Sequence, residues 1–420
     1  MHSKILTKNV SASGQEHISG YESRGGYQSA RKAMKMSAQE ITSEVLTSGL
    51  RGRAGGGFPT GKKWDLVHKI EHAPTYLVVN ANEGEPGTFK DRLLLEGDPH
   101  LCLEGIIIAA KALNVHLAIM YIRGEYAYAA SKIQKAIKQA YEKEYLGEKI
   151  FGADYHLDIV LHRGAGAYVC GEETALMESL EGRRGLPRLI PPRITESGLY
   201  GCPTVVHNIE TIANLPWIIG HGGKDFAQIG TLLSTGTKLF SVSGSVNRPG
   251  VYEVDMGYSM LDFINYECGG ITNGGKLKAV MPGGAFSPVL SPSELSYAKL
   301  DYESLQNIGS MLGAGGMIVF DSTVNMAEVC ANLLRFHVAE SCGQCTPCRV
   351  GGRWLGKICR RVCSGTGTKK DLELLKSVSR QITGQTICSF GDAMVVPILS
   401  CMEKFPEEFE KKIFITKRAW

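Results

Sequence analysis

Three cysteines stand close together near the end of the chain, and a fourth follows much later. Cys342, Cys345 and Cys348 have the spacing C-x2-C-x2-C, and Cys388 lies in the segment Thr-Ile-Cys-Ser-Phe-Gly. Thiols at this spacing can ligate one face of a cubane iron–sulfur cluster, which a remote thiol completes. Structural zinc usually takes paired C-x2-C knuckles or Cys/His pairs, and the nearest histidine is His337. The spacing therefore favours a [4Fe-4S] cluster, around which this end of the chain must fold.

The fourth ligand is chosen from the remaining cysteines of this region, and the others are interpreted as structural. Cys388 is the expected fourth ligand because it lies in a loop-like segment between two helical patterns. Cys401, in the middle of a helical pattern, is the second choice. Cys330, Cys359 and Cys363 also occupy helical positions, where a buried thiol behaves as a small apolar side chain.

Composition excludes several classes of protein. With 420 residues, 43% of them hydrophobic and 21% charged, the chain is typical of globular rather than disordered or coiled-coil proteins. Its length predicts two or three domains. A net charge of only +4 gives no basic surface for nucleic acid. No apolar run approaches the ~20 residues of a membrane span, and the first residues lack the features of a secretory signal. We therefore expect an intracellular protein whose twelve cysteines serve metal or redox chemistry rather than disulfides.

Four segments of the chain differ in pattern. Residues 1–38 are polar and rich in glycine and serine, which predicts an extended arm ending in a first helix. In residues 39–236 short apolar runs alternate with helical patterns, so we expect βαβ units and a mainly parallel sheet. Residues 237–322 begin with a hairpin pattern and predict a small α+β domain. Residues 323–420 are helical in pattern and predict a helical bundle with the cysteines at one end.

Within these segments the apolar patterns predict individual elements. Ser37 and Glu40 have the spacing of a capping box that opens a short helix. Strands are expected at 76–80, 117–122, 157–161, 238–246, 251–254, 279–281 and 317–320. Helices are expected at 101–113, 127–145, 259–266, 328–336, 352–362, 369–382 and 394–405.

Glycine is unusually frequent, at 50 of 420 residues, and part of the surplus lies in three loops next to predicted strands or helices. The loop at 53–58 could turn its backbone amides toward a phosphate or a flat ring, although it matches neither the G-x-G-x-x-G nor the P-loop pattern. The loop at 164–168 leads into a helix start with Glu172 and Glu173, whose simplest role is to compensate the helix dipole. The loop at 80–86 is a turn whose Asn and Glu side chains suit polyol recognition.

A nucleotide-binding region next to an iron–sulfur cluster suggests one kind of chemistry. A nicotinamide nucleotide delivers two electrons as hydride, whereas a cluster accepts one electron at a time. A flavin is the usual converter between the two.

Four motifs carry a resemblance to a known family. They are RGRAGGGFPTGKKW at 51–64, NANEGEPGTFKDR at 80–92, GAGAYVCGEETALMESLEG at 164–182 and ESCGQCTPCR at 340–349. They resemble the flavoprotein subunit of respiratory complex I, the F-type subunit of the bacterial NADH-quinone oxidoreductase, from about Gly26 to the C-terminus. The resemblance implies FMN, one [4Fe-4S] cluster and NADH oxidation. It also implies a nucleotide-binding α/β domain, a ubiquitin-like middle domain and a C-terminal helical bundle.

The resemblance assigns roles to residues of these motifs. Cys342, Cys345, Cys348 and Cys388 would ligate the cluster. Glu85, Glu172 and Glu173 would line the nucleotide and flavin site and tune binding and potential rather than move protons. The remaining assigned positions would bind FMN or NADH, and they are Gly52, Gly55, Gly57, Phe58, Lys63, Asn80, Asn82, Glu83, Tyr168, Asn208 and Thr211.

Three positions depart from the family pattern. Ala54 stands where the family usually has glycine, which would cost about 1 kcal/mol if that backbone needs a positive φ. Asn82 replaces an aspartate beside the flavin's ribityl chain, so the loss of a negative charge is expected to raise the flavin potential. The alternative is that Asn82 only hydrogen-bonds a ribityl hydroxyl, as an aspartate would, and leaves the potential unchanged. His207 stands where many relatives have asparagine.

Partners and rival functions also follow from the resemblance. The family implies a thioredoxin-like [2Fe-2S] subunit of the E type, a large multi-cluster subunit of the G type, and a position on the inner face of the cell membrane through the complex. The same module could instead serve an NAD-linked hydrogenase or formate dehydrogenase, which often carry further cysteine quartets; none lies before residue 330. A stand-alone diaphorase and a non-enzymatic assembly protein holding zinc are the remaining alternatives.

Overall fold

The chain is divided between two β-sheets and a helical bundle. The structure, a computed structural model, describes residues 2–70 and 74–414. Residues 415–420, which the sequence analysis includes in the bundle, lie outside the described residues.

The first sheet has four parallel strands in the order β3-β2-β1-β4. They are β1 Tyr76–Ala81, β2 Leu117–Ile122, β3 Asp158–Arg163 and β4 Thr204–Asn208. Apolar runs form the central strands β1 and β2 because helices cover and bury them. The edge strand β3 is more polar and more exposed, with Val160 48% exposed. The prediction of a mainly parallel sheet is confirmed.

Within the described residues, twelve helices accompany this sheet, several of them short. They are α1 Ile18–Ser23, α2 Gln28–Ala33, α3 Ala38–Ser48, α4 Thr60–His68, α5 Lys90–Gly97, α6 Pro99–Leu113, α7 Ala127–Glu142, α8 Glu173–Leu180, α9 Ile194–Ser197, α10 Ile209–Ala213, α11 Leu215–His221 and α12 Gly223–Ala227. The predicted capping box is present, since Ser37 accepts from the Glu40 amide and the Glu40 carboxylate accepts from the Ser37 amide.

The first 38 residues are more structured than the sequence indicates. Helices α1 and α2 both lie within them and pack against α6. The buried carboxylate of Glu104 accepts hydrogen bonds from the amides of Tyr27 and Ala30, each at 2.9 Å. The sequence pattern does not reveal this because the partner carboxylate is on a distant helix.

The second sheet is mixed, with strand order β6-β5-β8-β7. Its strands are β5 Thr237–Gly244, β6 Gly250–Asp255, β7 Leu277–Met281 and β8 Gly316–Asp321. The β5–β6 hairpin is antiparallel as predicted, and β5 pairs with β8 in parallel. Three short helices complete this region: α13 Met260–Asp262, α14 Pro292–Leu295 and α15 Tyr302–Asn307. The helix predicted at 259–266 is α13 followed by a π-helical turn at Phe263–Glu267.

The C-terminal region, as far as residue 414, is a bundle of five helices. They are α16 Met326–Glu340, α17 Gly352–Cys363, α18 Lys369–Ile382, α19 Phe390–Lys404 and α20 Pro406–Phe414. The first four match the predicted helices, and α20 was not predicted. Cys330, Cys359 and Cys401 are buried in the core of the bundle, as expected of structural thiols. Cys363 is only partly buried, so the expectation of a buried thiol is wrong at that position.

Candidate functional site

Two adjoining cavities lie where the strand ends of the first sheet meet the second sheet and the bundle. The inner cavity, about 280 Å³, is lined by Ala54, Asn80, Asn82, Glu83, Glu85, Thr88, Lys90, Asp91, Tyr168, Gly171, Glu172, Asn208, Phe286, Cys388 and Phe390, among others. The outer cleft, about 570 Å³, is lined by Gly52, Ala54, Gly57, Phe58, Lys63, Asn80, Gly171, Glu172, Glu173, Arg193, His207, Asn208 and Thr211, among others. The two share five lining residues, so they form one continuous site.

Two asparagines at the carboxyl ends of neighbouring strands form the wall that the cavities share. Asn80 on β1 and Asn208 on β4 are register partners. The side-chain amide of Asn80 donates to the Gly171 carbonyl at 2.9 Å. Asn208 caps α10 by accepting from the Glu210 amide at 3.0 Å. The ends of parallel strands thus bring together residues far apart in sequence.

Only some residues of the glycine loop at 52–58 line the site. Gly52 and Gly57 line the outer cleft, and Gly57 has a φ of 60°. Gly55, with a φ of 138°, lines neither cavity; it lies against Gly313, whose backbone would be 3.6 Å from a Cβ placed on Gly55. Ala54 is not among the residues with positive φ, so its methyl group causes no backbone strain.

The outer cleft is open to solvent. Phe58 is 45% exposed at its rim. The Lys63 ammonium lies 3.3 Å from the Glu173 carboxylate and donates to the Val206 carbonyl at 3.2 Å. Thr211 is buried and accepts from the Arg53 amide at 2.9 Å.

Two of the predicted site glutamates use their carboxylates to hold helix starts. Glu83 accepts from the amides of Asp91 at 2.9 Å and Arg92 at 3.2 Å, at the start of α5. Glu172 caps α8 by accepting from the amides of Thr174 at 3.1 Å and Ala175 at 2.9 Å. The helix-dipole interpretation considered for the loop at 164–168 therefore holds for Glu172.

Glu85 differs from these two glutamates. Its Oε1 atom is buried and has no hydrogen-bond partner among the described residues. Burial raises the pKa of Glu85 to about 8. The same oxygen closes the space beside Gly284, where a Cβ would lie 2.2 Å away.

Asn82 and Tyr168 hold the opposite wall of the inner cavity. The Asn82 amide group donates to the carbonyls of Ala167 at 3.1 Å and Tyr168 at 3.4 Å. The Tyr168 ring is stacked on Phe286, with centroids 5.2 Å apart, and packs against Phe390 at 5.7 Å. An aspartate at position 82 would place acceptor against acceptor in this arrangement.

A buried ionic network beneath the inner cavity escaped the sequence analysis. The Lys90 ammonium lies 2.7 Å from Asp91 and 2.8 Å from Glu210, and the Lys238 ammonium lies 3.4 Å from Glu210. Burial alone would raise the pKa of Glu210, but Lys238, Lys90 and the buried Arg53 lower it. Lys90 and Asp91 stand in a motif that the resemblance covers, yet no local pattern indicates that Lys238 on β5 joins them.

The histidine at position 207 has a specific hydrogen-bond partner, Trp64. Its Nε2 atom accepts from the Trp64 indole N–H at 2.7 Å. Burial lowers the pKa of His207 well below its usual value, so the ring is neutral and can accept.

The four predicted cluster ligands lie at the mouth of the bundle. Cys342, Cys345 and Cys348 lie between α16 and α17, and Cys388 lies between α18 and α19. Burial raises the pKa of the Cys388 thiol to about 11, and Cys342 and Cys348 are close enough to contribute. Within residues 2–70 and 74–414, no three His, Cys, Asp or Glu side chains lie at the spacing of a single metal ion.

Sequence models of known families match all three regions of the chain. Residues 45–217 match the Nuo51 FMN-binding domain, residues 238–319 the SLBB domain, and residues 328–412 the NADH-ubiquinone oxidoreductase-F iron-sulfur binding region. Among curated proteins, the second F-type NADH-quinone oxidoreductase subunit of Rhizobium meliloti is 44% identical, over 97% of this chain and 97% of its own. The F-type subunit of the Rickettsia typhi NADH-quinone oxidoreductase is 45% identical, over 93% of each chain.

The chain belongs to the family of F-type NADH-quinone oxidoreductase subunits.

A solved structure also resembles this member of the family. A chain of an NAD+-reducing [NiFe]-hydrogenase, crystallised in the H2-reduced state, superimposes with a TM-score of 0.86 at 33% identity. The match covers 98% of this chain and 67% of the hydrogenase chain. The described residues contain no helix long and apolar enough to cross a membrane.

The site has room and unpaired groups for the cofactors of this family. Within the described part of the chain, Glu85 Oε1 and Thr88 Oγ1 are buried beside the inner cavity without hydrogen-bond partners. Unpaired buried polar atoms suit a polar group that binds there. The four thiols are free, and an all-thiol donor set suits an iron–sulfur cluster.

Proposed function

We propose that this chain is the electron-input subunit that oxidises NADH with FMN and passes electrons to a [4Fe-4S] cluster. One observation carries the proposal. Cys388, an expected cluster ligand, lines the same inner cavity as the strand-end asparagines Asn80 and Asn208. A group bound in this cavity would therefore be in contact with the cluster loop, and the outer cleft would reach it from the solvent side.

Bound FMN would supply the conversion between two-electron hydride transfer and one-electron transfer to the cluster. The inner cavity would hold it through side chains already fixed by the protein. Asn80, Asn82 and Asn208 offer amide oxygens and N–H groups to polar atoms, and Gly171 leaves space between them. Tyr168, packed on Phe286, would form a rigid wall.

The capping glutamates would act mainly by position. Glu83 and Glu172 fix the starts of α5 and α8, so they hold the cavity walls while their carboxylates remain satisfied. Glu85 would face the bound groups with a proton at neutral pH, because its pKa is about 8. None of these residues needs to act as a general base, since hydride transfer depends chiefly on positioning.

The outer cleft would take NADH. Phe58 offers an exposed aromatic surface for a base or a nicotinamide ring. Gly52 and Gly57 would let the backbone approach, and the Lys63–Glu173 pair would be at hand for polar groups of the nucleotide. Thr211 would hold the glycine loop in place through its hydrogen bond from the Arg53 backbone amide.

Four thiols, Cys342, Cys345, Cys348 and Cys388, would ligate the cluster. Electrons would then leave to quinone through partner subunits, a thioredoxin-like [2Fe-2S] protein and a large multi-cluster iron–sulfur protein. The complex would hold the chain on the inner face of the cell membrane. The curated relatives named as subunits of NADH-quinone oxidoreductase support a place in such a complex.

A diaphorase subunit of an NAD-linked hydrogenase is the second candidate. The hydrogenase chain favours it by its TM-score of 0.86. The higher identity to the F-type subunits, 44% over 97% of both chains, favours the first. The partners that co-purify with the chain separate the two functions.

The proposal is tested by reduction under anaerobic conditions. The protein is reconstituted with FMN, iron and sulfide and then mixed with NADH. We expect bleaching of the flavin absorbance, an electron paramagnetic resonance signal from one reduced cluster, and about four irons per chain. Zinc in place of iron, or no flavin bleaching, would contradict the proposal.

A matched pair of variants tests the fourth ligand. Cys388→Ser is expected to abolish the cluster signal while FMN remains bound. Cys401→Ser, buried within α19, is expected to keep the signal. The opposite result would assign the fourth ligand to Cys401.

A further inference from the structure

A groove between α16 and α17 combines an apolar floor with a basic rim. This bundle groove encloses about 610 Å³. Its floor consists of Ala331, Leu334, Val338 and Gly356. Gly356 keeps the groove deep, since a Cβ there would already lie 3.4 Å from the Val338 side chain. The rim is formed by four basic residues: Arg335, Arg353, Lys357 and Arg360.

Among the described residues, no acidic side chain pairs with a basic residue of the rim. The side chains of Arg353 and Lys357 have no hydrogen bond or ion pair with any described residue. Arg360 donates only to the Gly356 carbonyl, and Arg335 to the Asn332 amide oxygen. The one acidic lining residue, Glu328, is already paired with Lys412. A basic rim above an apolar floor is complementary to a surface that is both acidic and apolar.

The bundle groove leads directly to the cluster loop. Val338 and Arg353 also line a neighbouring cavity of about 320 Å³ that contains Cys342 and Cys348. Trp354, on the same helix as Arg353, is 55% exposed. Large exposed aromatic side chains beside basic residues are typical of protein interfaces.

We propose that the bundle groove binds an acidic amphipathic helix of the subunit that receives electrons from the cluster. This inference rests on the proposed function, because it assigns the groove to the next carrier. The apolar residues of such a helix would contact the floor, and its Asp and Glu side chains would pair with the rim. Seated there, the acceptor lies beside the loop of Cys342–Cys348 rather than beside the nucleotide cleft.

Charge reversal tests the groove. The probe is the multi-cluster iron–sulfur partner subunit of the same organism, prepared without this chain. Its affinity for the FMN- and cluster-loaded protein is measured at low and moderate salt. The variant Lys357→Glu/Arg360→Glu should weaken binding at least about tenfold at low salt and flatten the salt dependence. Lys357→Met/Arg360→Met should weaken it less.

The control is a second pair of exposed basic residues on α18. Lys376→Glu/Arg380→Glu makes the same change of charge outside the groove and should alter affinity less than about twofold. Equal losses in both charge-reversal variants would show general electrostatic attraction and overturn the proposal. Undiminished binding in the groove variant, or groove-dependent binding to anionic phosphatidylglycerol vesicles with none to the partner, would also overturn it.

Reduction of ferricyanide by NADH separates this inference from the proposed function. Every one of these double variants should retain it, because none of the changed residues lines the inner cavity or the outer cleft. Retained ferricyanide reduction with lost partner affinity supports the groove. If the unaltered protein does not reduce ferricyanide with NADH, the proposed function is contradicted instead.

Discussion

The inner cavity and the outer cleft use the same residue types in different ways. In the inner cavity Glu83 is buried and bonded to backbone amides, and Glu85 is protonated at neutral pH. In the outer cleft Glu173 is 40% exposed and pairs directly with Lys63 at 3.3 Å. Rigid, desolvated walls suit a group that stays bound, and an open, screened rim suits a nucleotide that exchanges. Burial, rather than residue type, therefore distinguishes the two parts of this site.

The largest expected difference between the two regions is in stability. Glu210→Gln would leave Lys90 and Lys238 with less compensating charge in a buried network, and we expect a loss of about 3–5 kcal/mol in the free energy of unfolding. Glu173→Gln breaks an exposed pair and should cost less than about 1 kcal/mol. Denaturant titration of both variants measures the difference. Similar losses would mean that the inner network is no more desolvated than the rim.

Glu85 should make the stability of the inner region depend on pH. Burial raises its pKa from 4.5 to about 8, so the folded apoprotein binds this proton more tightly than the unfolded chain. The associated stability is present below pH 4.5 and is lost as pH rises toward 8. Glu85→Gln cannot lose a proton there, so it should gain about 2–4 kcal/mol relative to the unaltered apoprotein between about pH 5 and 8. If the free energies of unfolding of the unaltered protein and of Glu85→Gln change with pH in the same way, water reaches this carboxyl freely.

The variant Asn82→Asp tests how charge in the inner cavity changes the midpoint potential of the flavin. A carboxylate near a reduced, anionic flavin repels it by roughly 1–3 kcal/mol, so the midpoint potential should fall by about 20–60 mV. The variant also loses the bonds to the Ala167 and Tyr168 carbonyls. Asn82→Ala removes those bonds without adding charge and serves as the control. A spectroelectrochemical titration in which both variants shift the potential equally would attribute the effect to the lost bonds.

The smallest expected effect concerns the boundary between the regions. Ala54 lines both cavities without a positive φ. Ala54→Gly should therefore not relieve strain, and should lower the free energy of unfolding by up to about 1 kcal/mol through a more flexible unfolded chain. A gain in stability measured by thermal unfolding would show that the methyl group is strained.

Much of the fold could be predicted because its signals are local. The helix pattern at 369–382 matches α18, and the apolar run at 117–122 matches β2. Periodicity and capping depend on neighbours within a few residues, which the sequence displays directly. The helices within the first 38 residues were underestimated because the carboxylate that anchors them, Glu104, is remote in sequence.

The candidate site could be predicted as a set of segments but not as an arrangement. The motif at 80–92 indicated a binding loop, yet nothing local shows that the Glu83 carboxylate is engaged with α5 or that Gly55 faces Gly313 instead of a cavity. Aromatic residues such as Phe286 and Phe390 reach the inner cavity from other regions of the chain.

The alternation of strands and helices, the cysteine spacing and the family of the chain are all visible in its amino-acid order. Each of these depends on the order of residues along the chain. The burial of particular carboxylates, the cations around Glu210 and the meeting of the Cys388 loop with the strand ends at one cavity depend on the folded packing. Desolvation and long-range pairing arise only when distant segments pack together, and they set the charge states of the site.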